Sequence, residues 1–344
     1  MFDNLPRSIR VFTEKSGSHL QGIAIDRERR YLYCSFTTCL IKYDLTGQVV
    51  GSVQGLVGHL GCIAYNDADG RVYGSLEFKN DAIGKGILKR LGYTGEVKDG
   101  FYIVRFDVDR IDRMDMDAEK DGVMQAVFLG EVYDDYITEE HRFGCSGIDG
   151  VTFAPPIAEK GAPLLYVAYG VYGDVTRTDN DYQVLLQYDL SDWDRYARPL
   201  NQLDMHRCGP EKPCAKYFVY TGNTRYGIQN LEYDLDTETM IAAVYKGKKE
   251  NFPNYSTFFI DCTKKPCAEV LRGIDMRGEV LALTDLNGKD GVCGSYFPYG
   301  STGIVSLGED MFYISEPYKT EEGYGGEICL YRLDREHLTF LKIE

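Results

Sequence analysis

Residues 19–53 read HLQGIAIDRERRYLYCSFTTCLIKYDLTGQVVGSV, and they hold four short apolar runs at 20–26, 31–36, 39–45 and 48–53. Turn clusters such as Asp26-Arg27-Glu28 and Leu45-Thr46-Gly47 separate the runs. Runs of this length, rich in Ile, Val, Tyr and Phe, are typical of strands in an antiparallel meander. A lone four-stranded sheet cannot bury both of its faces, so the stretch predicts further copies of itself.

Three strand motifs of this stretch return five times in a fixed order. First strands are predicted at 20–26, 60–66, 148–154, 228–234 and 301–307. Second strands follow at 31–36, 71–77, 164–169, 240–245 and 311–316, and third strands at 40–45, 103–108, 185–190, 257–262 and 329–334. Fourth strands beyond the first copy are predicted at 126–131, 216–221, 268–271 and 338–343. The pattern predicts an all-β fold, a five-bladed β-propeller of four-stranded antiparallel blades.

The repeat predicts a single domain over residues 1–344. Its blades cover approximately 19–53, 60–131, 148–221, 228–271 and 301–343, and the N-terminal strand 8–12 closes the ring beside the last blade. No long helix is expected, and only short helical turns are expected in 109–123 and 191–203. Equivalent second-strand tyrosines, at Tyr33, Tyr73, Tyr166 and Tyr313, are expected in the core.

The chain has 344 residues with a formal net charge of −15. This charge argues against nucleic acid and anionic membrane as partners, and it suits a neutral or cationic small ligand or simply an acidic surface. The sequence shows neither a signal-peptide pattern nor an apolar run that could span a bilayer, so we expect a cytoplasmic protein. The ten cysteines are then expected as thiols, although Cys208 with Cys214, and Cys262 with Cys267, could clip a hairpin or bind a metal.

Long insertions fall on one face of the predicted propeller. Within blades they occupy 78–100, 170–182, 246–255 and 317–326, and between blades 54–59, 132–147, 222–227 and 272–300. Binding residues usually sit on loops that a rigid scaffold holds in place. We therefore expect a functional site at a central funnel on this elaborated face.

His19 and His59 occupy equivalent positions before the first strands of neighbouring blades. They are candidates for an acid and a base, or for metal ligands, with strand capping as the plain alternative. Glu77 and Glu316 end the second strands of blades two and five and would flank His19. Such carboxylates suit glycoside hydrolysis, or proton abstraction beside a carboxylate as in a lyase. The plain alternative is a set of surface Glu–Lys pairs.

Two further groups of residues are predicted around this site. Polar side chains at the start of the first strands are expected to surround the central channel, at Gln21, Asp149, Gln229 and Thr302. Loop residues expected to hold the substrate are Tyr172, Asn223, Arg225, Tyr226, Tyr318, His141 and Arg142. The metal candidates are His19, His59 and Asp149, and the cofactor stays open between a divalent metal and none.

The blade motifs resemble the five-bladed β-propeller superfamily, a fold shared by glutaminyl cyclotransferases, glycoside hydrolases, apyrases and lectins. Gln21-Gly22 in the first blade is similar to the opening of glutaminyl cyclotransferases. The loops differ from blade to blade, which favours one central site over a repeated lectin-type site. We expect a hydrolase or lyase acting on a small polar or carbohydrate-like substrate. The alternative is a non-catalytic propeller that binds a ligand, a peptide or a protein.

Overall fold

The computed structural model describes residues 2, 4–14, 19–284 and 291–344. It contains five small antiparallel sheets arranged as the blades of a β-propeller. The innermost strands of neighbouring blades pack against one another, and the innermost strand of blade five also packs against that of blade one. This confirms the predicted five-bladed fold.

The strands follow the predicted order along the chain. Strand β1 (Ser8–Thr13) precedes blade one, which holds β2 (Leu20–Ile25), β3 (Tyr31–Phe36), β4 (Cys39–Asp44) and β5 (Val49–Gln54). Blade two holds β6 (His59–Asn66), β7 (Arg71–Phe78), β8 (Gly100–Phe106) and, after the short β9 (Met116–Asp117), β10 (Met124–Phe128). Blade three holds β11 (Cys145–Ala154), β12 (Leu164–Val171), β13 (Tyr182–Tyr188) and β14 (Ala215–Tyr220). Blade four holds β15 (Arg225–Asp234), β16 (Thr239–Tyr245) and β17 (Thr257–Asp261).

Blade five joins the two ends of the chain. The hairpin β18 (Cys267–Val270) and β19 (Arg277–Val280) precedes this blade, whose strands are β20 (Ile304–Gly308), β21 (Met311–Lys319), β22 (Tyr324–Asp334) and β23 (Thr339–Lys342). β1 pairs with one half of β22, from Tyr324 to Cys329, and β23 pairs with the other half. The N-terminal strand therefore closes the ring beside the last blade, as the sequence predicts.

Blade four differs from the prediction of a fourth strand at 268–271. That segment forms β18, which pairs with β19, and β19 runs parallel to β14 on the outer edge of blade three. All four residues of β18 are exposed, so the segment has no apolar face to bury in a blade. The outer edge of β17 is instead covered by residues 282–284 and by Ser295, whose amide donates to the Thr257 carbonyl.

Two short helices replace predicted loop or strand. In blade two the predicted strand 126–131 ends at Phe128, and α2 (Gly130–Ile137) follows. The insertion after β7 forms α1 (Ala82–Leu91), which Asp81 caps by accepting a hydrogen bond from the Gly84 amide at 2.8 Å. Gly92 ends α1 in the left-handed region. Single 3₁₀ turns at Val108–Arg110 and Trp193–Arg195 overlap or fall within the regions predicted to hold helical turns.

The core lies between the blades. The second-strand tyrosines predicted for it (Tyr33, Tyr73, Tyr166 and Tyr313) are fully buried, so that prediction is confirmed. None of the ten cysteines forms a disulfide. Among the described residues, no helix has the length and apolar character needed to cross a membrane.

Candidate functional site

A cavity of about 290 Å³ opens at the centre of the ring, on the face that carries α1. Blades one to four contribute polar side chains to its wall, and α1 covers it with Ile83, Ile87 and Arg90. The lining residues are His19, Gln21, Thr37, His59, Glu77, Lys79, Asp81, Ile83, Ile87, Arg90, Ser146, Asp149, Tyr172, Tyr226, Gln229 and Tyr245. The cavity therefore lies where the sequence predicts a central funnel.

Bulges in the innermost strands aim side chains into this cavity. Gln21, Asp149 and Gln229 each fall at a point where the pairing register of the innermost strand with the next strand slips. A bulge turns a side chain away from the regular alternation of a strand. All three residues line the cavity, as predicted for the central channel.

His59 and Asp149 face each other inside the cavity. His59 Nδ1 lies 3.5 Å from Asp149 Oδ1 and 3.7 Å from Glu77 Oε1. Neither His59 Nδ1 nor Asp149 Oδ1 makes a hydrogen bond to a described residue, although both atoms are buried. The other carboxylate oxygen, Asp149 Oδ2, accepts a hydrogen bond from Gln229 Nε2 at 3.1 Å. Unpartnered buried polar atoms are costly, so their presence together is a mark of a functional site.

Burial sets the protonation of this pair. Burial, assisted by the charge of Lys79, lowers the pKa of His59 to about 3. Burial and the negative charge of Glu77 raise the pKa of Asp149 well above its ordinary value. Burial thus favours the neutral imidazole of His59 and the protonated form of the Asp149 carboxyl.

Glu77 and Lys79 form a buried ion pair next to His59. Lys79 Nζ lies 2.7 Å from Glu77 Oε1 and donates to the Ser146 carbonyl at 2.8 Å, while the Ile148 amide donates to Glu77 Oε2 at 2.9 Å. Burial raises the pKa of Glu77, and Lys79 opposes that rise. Burial also disfavours the charge of Lys79, but Glu77 and Asp81 outweigh it and raise the Lys79 pKa. Because both groups are fully engaged, the pair fixes β7 against β11.

A second pair of side chains stands at the edge of the cavity. His19 Nε2 lies 3.2 Å from the Tyr245 hydroxyl oxygen. Burial, with a contribution from Arg90, lowers the pKa of His19, while burial and the nearby Asp149 raise the pKa of Tyr245 to about 12. Both groups are therefore neutral near pH 7.

His19 and Tyr245 also line a larger groove, of about 700 Å³, between blades four and five. Its wall consists mainly of aromatic rings and prolines: Tyr296, Phe297, Pro298, Tyr299, Pro317, Tyr318 and Tyr324. We call this surface the aromatic groove. Two predicted site residues, Thr302 and Tyr318, lie here and not in the central cavity.

Most of the predicted catalytic and channel residues meet in the cavity. His19, His59, Glu77, Gln21, Asp149, Gln229, Tyr172 and Tyr226 all line it. Glu316 lies outside both pockets, so its predicted place beside His19 is corrected. Its Oε1 accepts hydrogen bonds from the Tyr331 hydroxyl at 2.7 Å and from Lys342 Nζ at 2.6 Å. The preceding residue, Ser315, is the one that faces inward, 2.7 Å from Thr302 Oγ1.

Four other predicted substrate-binding residues line neither the cavity nor the aromatic groove. The Asn223 side chain is buried and donates to the Tyr172 carbonyl at 3.5 Å, and Arg225 donates to the Tyr226 hydroxyl at 3.3 Å. The His141 ring packs 4.8 Å from that of Tyr172.

The fourth, Arg142, points to Asp135 at 3.7 Å and is half exposed. Asn223, Arg225 and His141 thus support the tyrosines of the wall, because they contact Tyr172 or Tyr226 and not the cavity itself.

Ser146 and the covering helix α1 were not predicted at the site, and Lys79 and Tyr245 were expected on this face at second-strand ends but were given no role. A signal for Tyr245 exists in the repeat. The second strand of each blade has an equivalent core residue: Tyr33, Tyr73, Tyr166, Ile241 and Tyr313. The residues four positions later are, in the same order, Thr37, Glu77, Gly170, Tyr245 and Pro317. Thr37, Glu77 and Tyr245 line the cavity, and Pro317 lines the aromatic groove. By the same count Glu316 falls one position early, and a shift of one residue reverses the side of a strand.

Within the part of the chain that the structure describes, no group of three or more His, Cys, Asp or Glu side chains is arranged to hold a metal ion. Of the metal candidates, His59 and Asp149 are neighbours, but His19 is bonded to Tyr245. Glu77, the carboxylate nearest to this pair, is ion-paired with Lys79.

Neither a protein-family model nor a curated protein sequence matches the chain. Among solved structures, the chain is similar to hydrazine synthase of Kuenenia stuttgartiensis, at 11% identity and a TM-score of 0.37 over 94% of this chain and 65% of that one. It thus spans slightly less than two thirds of that protein. It is also similar to the PQQ domain of pyranose dehydrogenase from Coprinopsis cinerea, at 11% identity and a TM-score of 0.41 over 90% and 81%. Likenesses this weak carry no functional argument.

Proposed function

We propose that this protein is an enzyme, a hydrolase or lyase, which performs proton transfer on a small polar or sugar-like substrate in the central cavity. The observation that supports this is the pair of buried atoms His59 Nδ1 and Asp149 Oδ1, which face each other at 3.5 Å with no hydrogen-bond partner in the described part of the chain. A purely structural pair in a rigid core would satisfy those atoms.

The pair has the parts of an acid–base device. Nε2 of His59 makes no hydrogen bond to the described residues and is not fully buried, so it is open to a ligand. The Asp149 carboxyl lies on the Nδ1 side, where it can hold the ring in one orientation. His59 would remove a proton from the substrate or from a water molecule, and the neutral imidazole is the form that accepts it.

The His19–Tyr245 pair would protonate the leaving group of the bond that breaks. A Tyr245 hydroxyl that keeps its proton can donate it to a leaving oxygen, and His19 can relay a proton from solvent back to the tyrosine by taking it up at one ring nitrogen as it gives one from the other. Gln229 and Tyr226, both in the cavity wall, offer polar groups for holding the substrate.

The size of the cavity limits what reacts there. A volume of 290 Å³ corresponds to about ten water molecules, at roughly 30 Å³ each, so it suits one small polar ring. A single sugar unit fits this description. A polymer would need a further surface for the units that do not react.

A substrate screen with the purified full chain tests the proposal. Neutral and acidic mono- and oligosaccharides would be tested for a shift in unfolding temperature, and each mixture would be analysed for products by mass spectrometry. We expect at least one saccharide to be both bound and converted. Saturable binding with no conversion of any ligand would favour the non-catalytic binding propeller, and no binding at all would contradict a saccharide substrate.

A further inference from the structure

The aromatic groove continues the central cavity, because both are lined by His19 and Tyr245. A molecule with one end in the cavity can therefore extend past this pair into the groove. The groove has more than twice the volume of the cavity, about 700 Å³ against 290 Å³. It offers space for several units of a chain-like substrate.

The groove presents ring faces more than hydroxyl groups. The Tyr318 hydroxyl donates to the Val11 carbonyl at 3.1 Å, and the Tyr296 hydroxyl donates to the Pro253 carbonyl. These hydroxyl groups are thus engaged by the protein itself, and the rings line the groove with a cationic side chain over one face of Tyr296, Tyr318 and Tyr324. Aromatic faces pack well against flat ligands with one apolar face, and sugar rings are of this kind.

The groove also has an unusual charge for this protein. The chain carries 53 Asp and Glu residues against 38 Lys and Arg, yet the described residues that line the groove include two lysines and no acid. Lys246 Nζ lies 4.9 Å from the centre of the Tyr296 ring, and Lys319 Nζ lies 5.1 Å from that of Tyr324. Both lysines are exposed and lack a carboxylate partner among the described residues. Their charge is available to an anionic ligand.

We propose that the aromatic groove binds an acidic oligosaccharide, a chain of sugar rings that carry carboxylates, and that the central cavity takes the unit that reacts. This rests on the proposed function, which it narrows to one substrate class. The rings of the groove would stack on the sugars, and Lys246 and Lys319 would pair with their carboxylates.

A sugar acid of this kind favours elimination. His59 would remove the proton from the carbon that bears the carboxylate, and the electron pair of that C–H bond would form a double bond to the neighbouring ring carbon. The C–O bond to the next sugar would break at that carbon, its electron pair leaving with the oxygen. Tyr245 would give that oxygen a proton. The step consumes no water, metal or redox partner, and the enzyme recovers its protons from solvent.

The test uses the full chain with oligogalacturonate, its carboxyl-reduced neutral counterpart, and polyglutamate as an acidic peptide. Elimination creates a double bond conjugated to the carboxylate, which ultraviolet absorbance detects, and calorimetry measures binding. The groove variant is Lys246→Ala with Lys319→Ala. Its control is Lys160→Ala with Lys265→Ala, which removes the same charge from exposed lysines outside the groove.

We expect the acidic sugar alone to bind tightly and to yield the unsaturated product. Two lost contacts of somewhat under 1 kcal/mol each would weaken binding about tenfold in the groove variant and leave the control unchanged. Product formation with equal affinity in both variants would overturn the groove assignment and leave the proposed function standing. Groove-dependent binding without the unsaturated product would overturn the elimination, and the absence of hydrolysed sugar as well, read by mass spectrometry of the same mixtures and of the saccharide screen, would overturn the proposed function. Equal binding of polyglutamate through the same lysines would overturn the sugar assignment.

Discussion

Replacing Lys79 with methionine should destabilise the protein by about 4 kcal/mol, since it leaves the Glu77 carboxylate buried without its counter-ion. The two side chains are only 6% and 3% exposed, and Nζ lies 2.7 Å from Oε1. At an effective dielectric constant of about 20, two charges at this separation attract by about 6 kcal/mol. Desolvation of both groups offsets part of that attraction, and the Ile148 amide still supports Glu77 after the change.

An exposed pair of similar geometry supplies the control. Lys342 Nζ lies 2.6 Å from Glu316 Oε1, but the lysine is 45% exposed and solvent screens it. Lys342→Met should therefore cost at most about 1 kcal/mol. Unfolding in urea, followed by the fluorescence of the buried and only tryptophan, Trp193, measures both losses.

A double variant separates the ion pair from simple packing. Glu77→Gln combined with Lys79→Met removes both charges, so it should be more stable than Lys79→Met alone. Equal losses for Lys79→Met and Lys342→Met, or strict additivity in the double variant, would refute the assignment of Glu77–Lys79 as the buried pair that fixes β7 against β11.

Three further predictions concern the cavity, its wall and the closure of the ring. For Asp149, the raised folded-state pKa means that the folded protein holds a proton that the unfolded chain releases above about pH 4. Wild type should therefore lose stability relative to Asp149→Asn as the pH rises from about 4 to 8, and thermal midpoints that stay parallel across this range would contradict the raised pKa. Gly227 adopts φ +84°, and a Cβ added there would lie only 2.0 Å from Gly170 Cα. Gly227→Ala should therefore lower the free energy of unfolding by several kcal/mol. Gly86 has open space around it, so Gly86→Ala should leave the free energy of unfolding in urea unchanged or raise it by up to about 1 kcal/mol. Removing residues 1–13 takes β1 from β22 and exposes a strand edge, so the shortened chain should unfold at lower temperature and aggregate in light scattering; an unchanged midpoint would show that β23 alone closes the ring.

The fold could be predicted because its evidence is local and repeated. Each strand motif is short and can be recognised by itself. Five copies of the three motifs in one order are compatible with few folds other than a five-bladed propeller. The errors fall where no repeat exists. Residues 268–271 follow the same Lys-Pro-Cys-Ala phrase that precedes β14, but they pair with β19 because of contacts distant in sequence. Helix α1 contains two glycines, which lower its helix propensity. The only sequence signals for this helix are its capping residues, Asp81 and Gly92.

The site could be predicted in part for the same reason. His59 was found because it precedes a repeated first-strand motif, and Asp149 because it lies at the start of another copy of that motif, where a bulge turns its side chain inward. Glu316 was misplaced by one residue of register, which the second-strand tyrosines would have corrected. The burial of the Glu77–Lys79 pair against Ser146 and Ile148 and the engagement of His19 by Tyr245 depend on contacts across blades. A single sequence does not contain that information.

The rate of substrate conversion by His59→Gln, compared with wild type and with His337→Gln, tests the central claim most directly. His337 is exposed and pairs only with Asp334, so its substitution should leave the rate unchanged. If His59 is the acid–base group of the cavity, we expect the His59→Gln rate to fall by about 10²- to 10⁴-fold, with the Trp193 fluorescence of the folded protein retained. A folded His59→Gln variant that converts the substrate within a few-fold of the wild-type rate would contradict the account.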